Sequence, residues 1–337
     1  MAEYAKKQKE QLSRCLIENK NGSMKSKSFV DNRVNTKRQA DGILQRKMIV
    51  KGNNDYLENV KENLYRLLLG NWKGISIDQK EDSLILDVDP EYEKSLFLHE
   101  ANNSVSAMLV RRRIAALGED MLGGNTDLLI KETDDSSRFD YDEKECKMAV
   151  MWNADEKMIC YTENGFKLCP SEILLAHEIG HAEGYYNKSQ GEGMSKYMTP
   201  FKDLNIINES SEEVRNVGLP VLPGSADIKV SDNSYSENMI RKERKEPERK
   251  VYSKLVSWWI KDNKLIIDPP TNGDLLNYYV DVLRLEGVKN IVDKEVDKEP
   301  SLPENLKLDV KNQIMLFLIF KRKVKKTIDL VNLAEVD

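Results

Sequence analysis

The pattern His-Glu-x-x-His, which runs from His177 to His181, constrains this chain more than any other feature. It lies inside an apolar run that is typical of a buried helix. Residues i and i+4 of a helix share one face, so both imidazoles can reach one metal ion. Glu178 follows the first histidine, where it can act on a water molecule bound to that ion. The spacing therefore predicts two zinc ligands and a general base within one short segment.

The surrounding sequence favours this interpretation over a chance match. Pro170 and Ser171 predict a helix start, and Gly180 predicts the close approach of a neighbouring backbone. Upstream, residues 147–153 predict a strand, which we expect to be the edge strand that holds an extended substrate chain. The alternative is a buried helix whose two histidines are merely hydrogen-bonded.

A hydrolytic zinc site needs a third protein ligand. No histidine follows the motif closely, and the remaining one, His99, lies far upstream. A downstream carboxylate is the better candidate, with Glu209, Glu212 and Glu213 available. We prefer Glu212 or Glu213, although an exposed helix charge is the commoner fate of a glutamate.

The expected roles define a mechanism. Zinc lowers the pKa of its bound water to ~7, which makes hydroxide available at neutral pH. Glu178 would take the proton and pass it to the leaving amine. The tetrahedral oxyanion needs a further donor. Tyr252 and Arg249 are both candidates for this role.

Across residues 100–255 the chain resembles the NleD-type zinc metallopeptidases, which are bacterial effectors and toxin domains. The order and spacing of several blocks carry this resemblance. They are 120–129, 152–153, 175–182, 212–219, 236–243 and 249–252. The resemblance implies a bound Zn²⁺ held by His177, His181 and a glutamate at 212–213, with Glu178 as the catalyst. It also implies that Glu237, Asn238 and Arg241 line or brace the site.

The first 51 residues carry a local charge of +8, while the remainder carries −13. Within them, 28–33 and 43–47 are similar to the leader of cargo proteins loaded into extracellular contractile injection systems. We therefore expect residues 1–51 to bind an injection particle. An ordinary basic, disordered tail is the alternative. Nucleic acid is not an expected partner, because no aromatic residues are interleaved with the basic ones.

No signal peptide is evident, since the N-terminus lacks an apolar core. The longest apolar run, 314–320, falls short of the ~20 residues that cross a bilayer, so stable membrane insertion is not expected. We expect the protein to stay in the bacterial cytoplasm until a dedicated machine injects it into a host cell. The cysteines lack metal-binding spacing and are expected to be free thiols, although Cys160 and Cys169 flank a turn and are candidates for pairing.

We predict an α+β fold with a zincin-like core, in which the active-site helix packs on a small sheet. The predicted organisation has four parts. They are a basic disordered leader (1–52), a helix and strand extension (53–100), a zinc metallopeptidase domain (101–255) and a mixed α/β C-terminal extension (256–337) of unassigned role. Within the metallopeptidase domain we expect a loop at 187–205 beside the cleft and an irregular loop at 220–236.

The leading functional hypothesis is a zinc endopeptidase that is injected as an effector or toxin and cleaves a host protein. The resemblance suggests host signalling proteins as the substrate class. Two alternatives stay open. One is an intracellular regulatory His-Glu-x-x-His protease. The other is a non-catalytic cargo or scaffold module of an injection particle, against which the intact Glu178 argues.

Overall fold

The computed structural model describes eleven segments of the chain. They are residues 48–68, 75–88, 106, 109–110, 128–142, 147–186, 193–201, 204–223, 236–270, 273–319 and 326–329. The predicted leader up to residue 47, His99, Cys15 and Cys146 lie outside the described residues, as does most of the expected loop at 220–236. The end of the predicted disordered leader, Met48–Lys51, instead forms a strand whose apolar residues Met48 and Val50 are buried. Of the four predicted divisions, the structure therefore describes mainly the second, third and fourth.

The first sheet has six strands in the order β2-β3-β1-β4-β6-β5. Their bounds are β1 Met48–Lys51, β2 Ile75–Lys80, β3 Ser83–Val88, β4 Leu128–Glu132, β5 Arg138–Asp142 and β6 Lys147–Trp152. β1, β4 and β6 run parallel to one another, and the remaining pairs are antiparallel.

Helix α1 (Asn54–Leu68) packs against this sheet. The side chain of Asn53 accepts a hydrogen bond from the Tyr56 N–H (2.9 Å) and so caps the helix start. Its apolar residues recur at helical spacing and are buried, among them Leu57, Val60 and Leu64.

The second sheet has five antiparallel strands in the order β13-β12-β11-β7-β8. Their bounds are β7 Lys157–Thr162, β8 Gly165–Cys169, β11 Arg249–Lys261, β12 Lys264–Asp268 and β13 Lys326–Asp329. Two C-terminal helices pack with this sheet, α5 (Gly273–Asp297, interrupted at Arg284) and α6 (Glu304–Ile319). A second hydrophobic core forms between them.

Helix α2 (Ser171–Tyr186) carries the His-Glu-x-x-His pattern. It begins directly after Pro170, as predicted, and it packs against α1, β5 and β6. Apolar residues around most of its circumference are buried, which explains why it lies in the interior. They are Ile173, Leu174, Leu175, Ala176, Ile179 and Ala182.

Two short helices complete the surroundings of α2. They are α3 (Ser211–Val217) and α4 (Glu237–Glu243), and both contact α2. A hairpin of β9 (Met194–Met198) and β10 (Ile206–Ser210) leads into α3. α2 belongs to the first hydrophobic core, whereas Val214 and Val217 of α3 belong to the second.

The mixture of helices and sheets confirms the α+β prediction. Two details were wrong. The segment 147–153 forms a strand, but β6 lies between β4 and β5 and is therefore not an edge strand. The buried residues of β6 are all apolar, which fits a strand in the middle of a sheet. The expected loop at 187–205 contains β9, whose buried Ser195 and Tyr197 alternate with exposed residues.

Strand β11 runs unbroken across position 255, where the predicted metallopeptidase domain ends. Val251 and Trp258 stand on opposite sides of that position and are buried in the same core. The predicted C-terminal extension thus supplies half of a strand that begins within the preceding segment. Among the described residues, no helix is long and apolar enough to cross a membrane.

Candidate metal centre

Three side chains from two helices converge at one point. α2 supplies His177 and His181, and α3 supplies Glu213. The two Nε2 atoms lie 3.2 Å apart. Glu213 Oε2 lies 3.3 Å from Nε2 of His177 and 3.1 Å from Nε2 of His181. The three potential ligand atoms therefore form a nearly equilateral triangle.

This triangle has the size that a tetrahedral zinc site requires. Ligand atoms about 2.0–2.1 Å from a tetrahedral ion are about 3.3 Å from one another. Two imidazole nitrogens and one carboxylate oxygen are also a known ligand set of hydrolytic zinc sites. Within the described part of the chain, His177, His181 and Glu213 are the group that could hold a metal ion. The residues therefore fit the metal that the sequence predicts.

The electrostatics of this point favour a cation. Burial alone would lower the pKa of His181, but the carboxylates of Glu213 and Glu212 outweigh it and raise that pKa well above its ordinary value. Burial would raise the pKa of Glu213, yet His181 and His177 hold it well below its usual range. The same attraction acts on any positive charge at the point where the three atoms meet.

The outer nitrogen of His177 is held by a buried carboxylate. Nδ1 of His177 lies 3.0 Å from Oε2 of Glu237 on α4. Arg241 donates to the other oxygen of Glu237 (2.7 Å), and Arg249 donates to Oε2 (2.9 Å). Burial would raise the pKa of Glu237, but the two guanidinium groups keep it well below its usual range. A carboxylate in this place fixes the orientation of the imidazole ring.

The outer nitrogen of His181 is held in the same way. Its Nδ1 lies 3.3 Å from Oε1 of Glu212, and Arg215 donates to both oxygens of that carboxylate. Burial opposes ionisation of Glu212, but His181 and Arg215 lower its pKa to about 2. Of the predicted third ligands, Glu213 therefore faces the inner nitrogens and Glu212 faces an outer one. Glu209 lies on β10 and is not part of the group.

Two glycines let α3 approach α2. A Cβ atom on Gly180 would lie 2.1 Å from Oδ1 of Asn216, and one on Gly184 would lie 2.3 Å from an Nη of Arg215. The side chain of Asn216 donates to the carbonyl oxygen of His177 (2.7 Å). The predicted close approach at Gly180 therefore exists, but the neighbour is a side chain and not a backbone segment.

A cavity of about 170 Å³ opens beside the metal centre. Its lining includes Leu174, His177 and Glu178 from one face of α2, together with Tyr252 of β11. Burial is the main cause that raises the pKa of Glu178. Burial also raises the pKa of Tyr252 well above its usual value, so its hydroxyl stays protonated and available as a donor.

Each of the three nitrogens of the Arg249 guanidinium group donates a hydrogen bond. It donates to Glu237, to the carbonyl oxygen of Val251 (3.0 Å) and to that of Tyr252, and it lies 5.5 Å from the ring centre of Tyr252. The side chain of Asn238 bonds both backbone groups of Arg249. These contacts make Arg249 and Asn238 braces of the strand that carries Tyr252.

Cys160 and Cys169 lie close to this network. Both thiols are free and buried. Arg241 donates to Sγ of Cys169 at 2.9 Å and approaches Sγ of Cys160 at 3.7 Å. The guanidinium group thus joins β7 and β8 to Glu237, and through it to His177.

Sequence reasoning missed three contributors to the site. Arg215 stands three residues after Glu212, a helical spacing that could have indicated their ion pair. Asn216 gives no local signal, because its role depends on how α3 docks against Gly180. Glu156 lines the cavity from the turn between β6 and β7, and its burial is visible only in three dimensions.

Comparison with known protein families gives an independent result. Residues 91–252 match the model of the family Peptidase_M91, described as effector protein. The matched segment is just under half of the chain and includes the metal centre, Glu178 and Tyr252. No curated protein and no solved structure matched the chain. The match supports a peptidase effector and agrees with the resemblance noted from the sequence.

Proposed function

We propose that this protein is a zinc-dependent endopeptidase that acts as an injected effector or toxin and cleaves a protein of the host cell. One observation carries the proposal. Nε2 of His177, Nε2 of His181 and Oε2 of Glu213 converge within 3.1–3.3 Å of one another. The glutamate of the same motif, Glu178, lines the adjoining cavity. The peptidase family match supports the reaction class.

In this proposal His177, His181 and Glu213 hold the ion, and Glu237 and Glu212 orient the two imidazoles. When bound, zinc would polarise the scissile carbonyl and acidify a water molecule. The carboxylates on the outer nitrogens also fix the tautomer that leaves both Nε2 atoms free to bind the metal.

Glu178 is the proposed general base. It follows His177 on α2 and lines the cavity. Its buried surroundings raise its proton affinity, which suits a group that must take a proton and then release it to the leaving amine. A substitution that keeps the shape but removes the basicity should therefore stop catalysis.

Tyr252 is the proposed donor to the oxyanion that develops on the scissile carbonyl. Its hydroxyl is protonated at neutral pH, and its ring is held by Arg249. The Tyr252 N–H donates to the hydroxyl of the buried Tyr197 (3.2 Å), which ties β11 to β9. Arg249, the other candidate, has its donors engaged and is better suited to positioning.

The proposed fold of the catalytic unit is zincin-like, with α2 packed on the first sheet. The edge strand is β5, since β6 is interior. Ser136 and Ser137 line the cavity and directly precede β5, which begins at Arg138. An extended substrate chain that pairs with β5 would therefore enter the cavity beside Glu178.

The proposed delivery route depends on residues 1–51, which we expect to dock on an injection particle. Removing residues 1–47, which leaves β1 in its place within the first sheet, should abolish loading while the metal centre is retained. Co-purification with the particle measures loading, and elemental analysis measures the metal. If the shortened chain is still loaded, injection through this segment is contradicted.

The first test of the enzyme itself is its metal content. Elemental analysis should find about one zinc per chain in the purified protein and none in His177→Ala. The zinc-loaded protein should then cleave proteins of a host lysate, with Glu178→Gln as the control. A protein that takes up no zinc when refolded with it would contradict the proposal.

A further inference from the structure

The cavity beside Glu178 extends past the proposed reaction centre. Besides residues of α2 and Tyr252, its lining includes Met158, Glu156, Lys254 and Asp268. A substrate side chain adjacent to the scissile bond must lie somewhere along this lining. The charges on these walls therefore bear on which side chains the enzyme accepts.

Glu156 is an unusual part of the lining, because it is buried and has no cationic partner among the described residues. The residue is only 4% exposed. Its Oε2 accepts a hydrogen bond from the Ser137 N–H (2.7 Å). No cationic side chain pairs with it in the part of the chain that the structure describes. Burying a carboxylate without a positively charged partner costs free energy. Glu156 is therefore suited to bind a positively charged group of a ligand.

The basic groups of the same cavity are already engaged. Lys254 donates to Asp268 (2.5 Å) and to the hydroxyl of Ser257 (2.8 Å). Arg249 is bonded to Glu237, as described above. Neither group neutralises Glu156, and neither is available to recognise an acidic substrate side chain. The unmatched charge of this part of the cavity is negative.

Apolar walls accompany this charge. Met158 and Leu174 line the same cavity and are largely buried. Lysine and arginine side chains combine an aliphatic stem with a charged end, and such stems pack well on apolar surface. The cavity therefore offers contacts for both parts of a basic side chain.

We infer that Glu156 determines substrate specificity by binding a lysine or arginine side chain next to the scissile peptide bond. The inference rests on the proposed function, because it takes the cavity to be the substrate site. Glu156 lines the same cavity as Glu178 and Tyr252, and it has no assigned part in the chemistry. The predicted substrates are polypeptides with a basic residue at the cleavage site.

The test measures binding to the zinc-loaded full chain by isothermal titration calorimetry. The probes are lysine hydroxamate and norleucine hydroxamate, which share the metal-chelating group and the four-carbon chain and differ in the ammonium group. The proteins are the unaltered chain, Glu156→Gln and Glu81→Gln. Glutamine keeps the acceptor for Ser137, and Glu81 is an exposed residue in the turn between β2 and β3. The control therefore makes the same charge change at a different place.

We expect lysine hydroxamate to bind the unaltered chain roughly tenfold more tightly than norleucine hydroxamate, because it supplies the missing partner of a buried charge. Glu156→Gln should bring the ratio close to one, and Glu81→Gln should leave it unchanged. A ratio near one for the unaltered chain overturns the inference, as does a ratio that survives Glu156→Gln.

Failure of the proposed function gives a different result. If elemental analysis finds no zinc and neither probe binds, the metal centre and this inference fall together. If zinc is present and both probes bind equally, only the role of Glu156 falls. If zinc is present and neither probe binds, the cavity does not admit such side chains, and the inference is again overturned.

Discussion

Glu212 and Glu213 are neighbours in the chain, yet their carboxylates meet different atoms of the two histidines. Successive residues of a helix point about 100° apart, so α3 directs one side chain to the inner nitrogens and the other to an outer one. Arg215 then completes the environment of Glu212. Sequence reasoning placed the third ligand at this pair but could not choose between them, because the choice depends on how α3 is rotated against α2.

Metal affinity should distinguish the two glutamates. Glu212→Gln should weaken zinc binding about 10- to 100-fold, as expected for the loss of a carboxylate on an outer histidine nitrogen. Glu213→Gln removes a ligand and should weaken binding by more than that. Competition with a chromophoric chelator measures both affinities. The opposite order of effects would make Glu212 the ligand.

Catalysis should depend on Glu178 separately from metal binding. Glu178→Gln should reduce kcat/KM by about 10²- to 10⁴-fold, since the variant cannot accept a proton. Its zinc content should stay at the level of the unaltered chain. Digestion of a peptide library, followed by sequencing of the new termini, measures cleavage. A variant that is both zinc-loaded and fully active would rule out Glu178 as the base.

At the scale of elements, the contact between α2 and α3 determines whether the centre can form. Gly180 leaves space for the side chain of Asn216, which bonds the carbonyl oxygen of His177. The ligands of one helix are thus held in register with the ligand of the other. A change at this contact should affect both stability and metal binding.

Gly180→Ala should therefore destabilise the protein, although alanine favours helices by about 1 kcal/mol over glycine. We expect a net loss of about 1–3 kcal/mol in the free energy of unfolding, because a methyl group would overlap Asn216. Urea unfolding of the metal-free protein measures this free energy. In the double variant Gly180→Ala/Asn216→Ala the overlap disappears, so the two effects should be less than additive. Strict additivity would show that the overlap is not the cause.

Elements with strong local signals were predictable. α1 has apolar periodicity, α2 starts after Pro170, and the hairpin of β7 and β8 turns at Asn164-Gly165, all as expected. β9 was assigned to a loop, because its exposed residues include Met194 and Met198 and so obscure the alternation. The interior position of β6 could not be read from the chain, since it depends on β4 and β5 pairing on either side.

On the scale of the whole molecule, the metal centre joins the two hydrophobic cores. α2 is embedded in the first core and α3 in the second, and each contributes potential ligand atoms. An ion bound here would cross-link two parts of the chain that otherwise meet through the packing of helices. Binding free energy at such a place adds to the stability of the folded state.

Removing the metal should therefore lower the Tm. With free zinc at a hundred times its Kd, the folded state gains about 2.7 kcal/mol. A chelator should remove this gain, and added zinc should restore it. Differential scanning calorimetry measures both changes. His177→Ala is the control, and its Tm should not respond to zinc. An equal response in that variant would mean that the ion acts elsewhere.

The course of strand β11 also limits how far the chain can be shortened while the catalytic unit still folds. It begins at Arg249, carries Tyr252 beside the candidate metal centre, and continues to Lys261, where it pairs with β12. A fragment that ends at 252 or 255 would keep every proposed ligand and still lose nine or six of the 13 residues of the strand that carries Tyr252. It would also expose the apolar residues that α5 and α6 cover. The shortest autonomous enzyme should therefore extend well past the matched family segment, through both C-terminal helices.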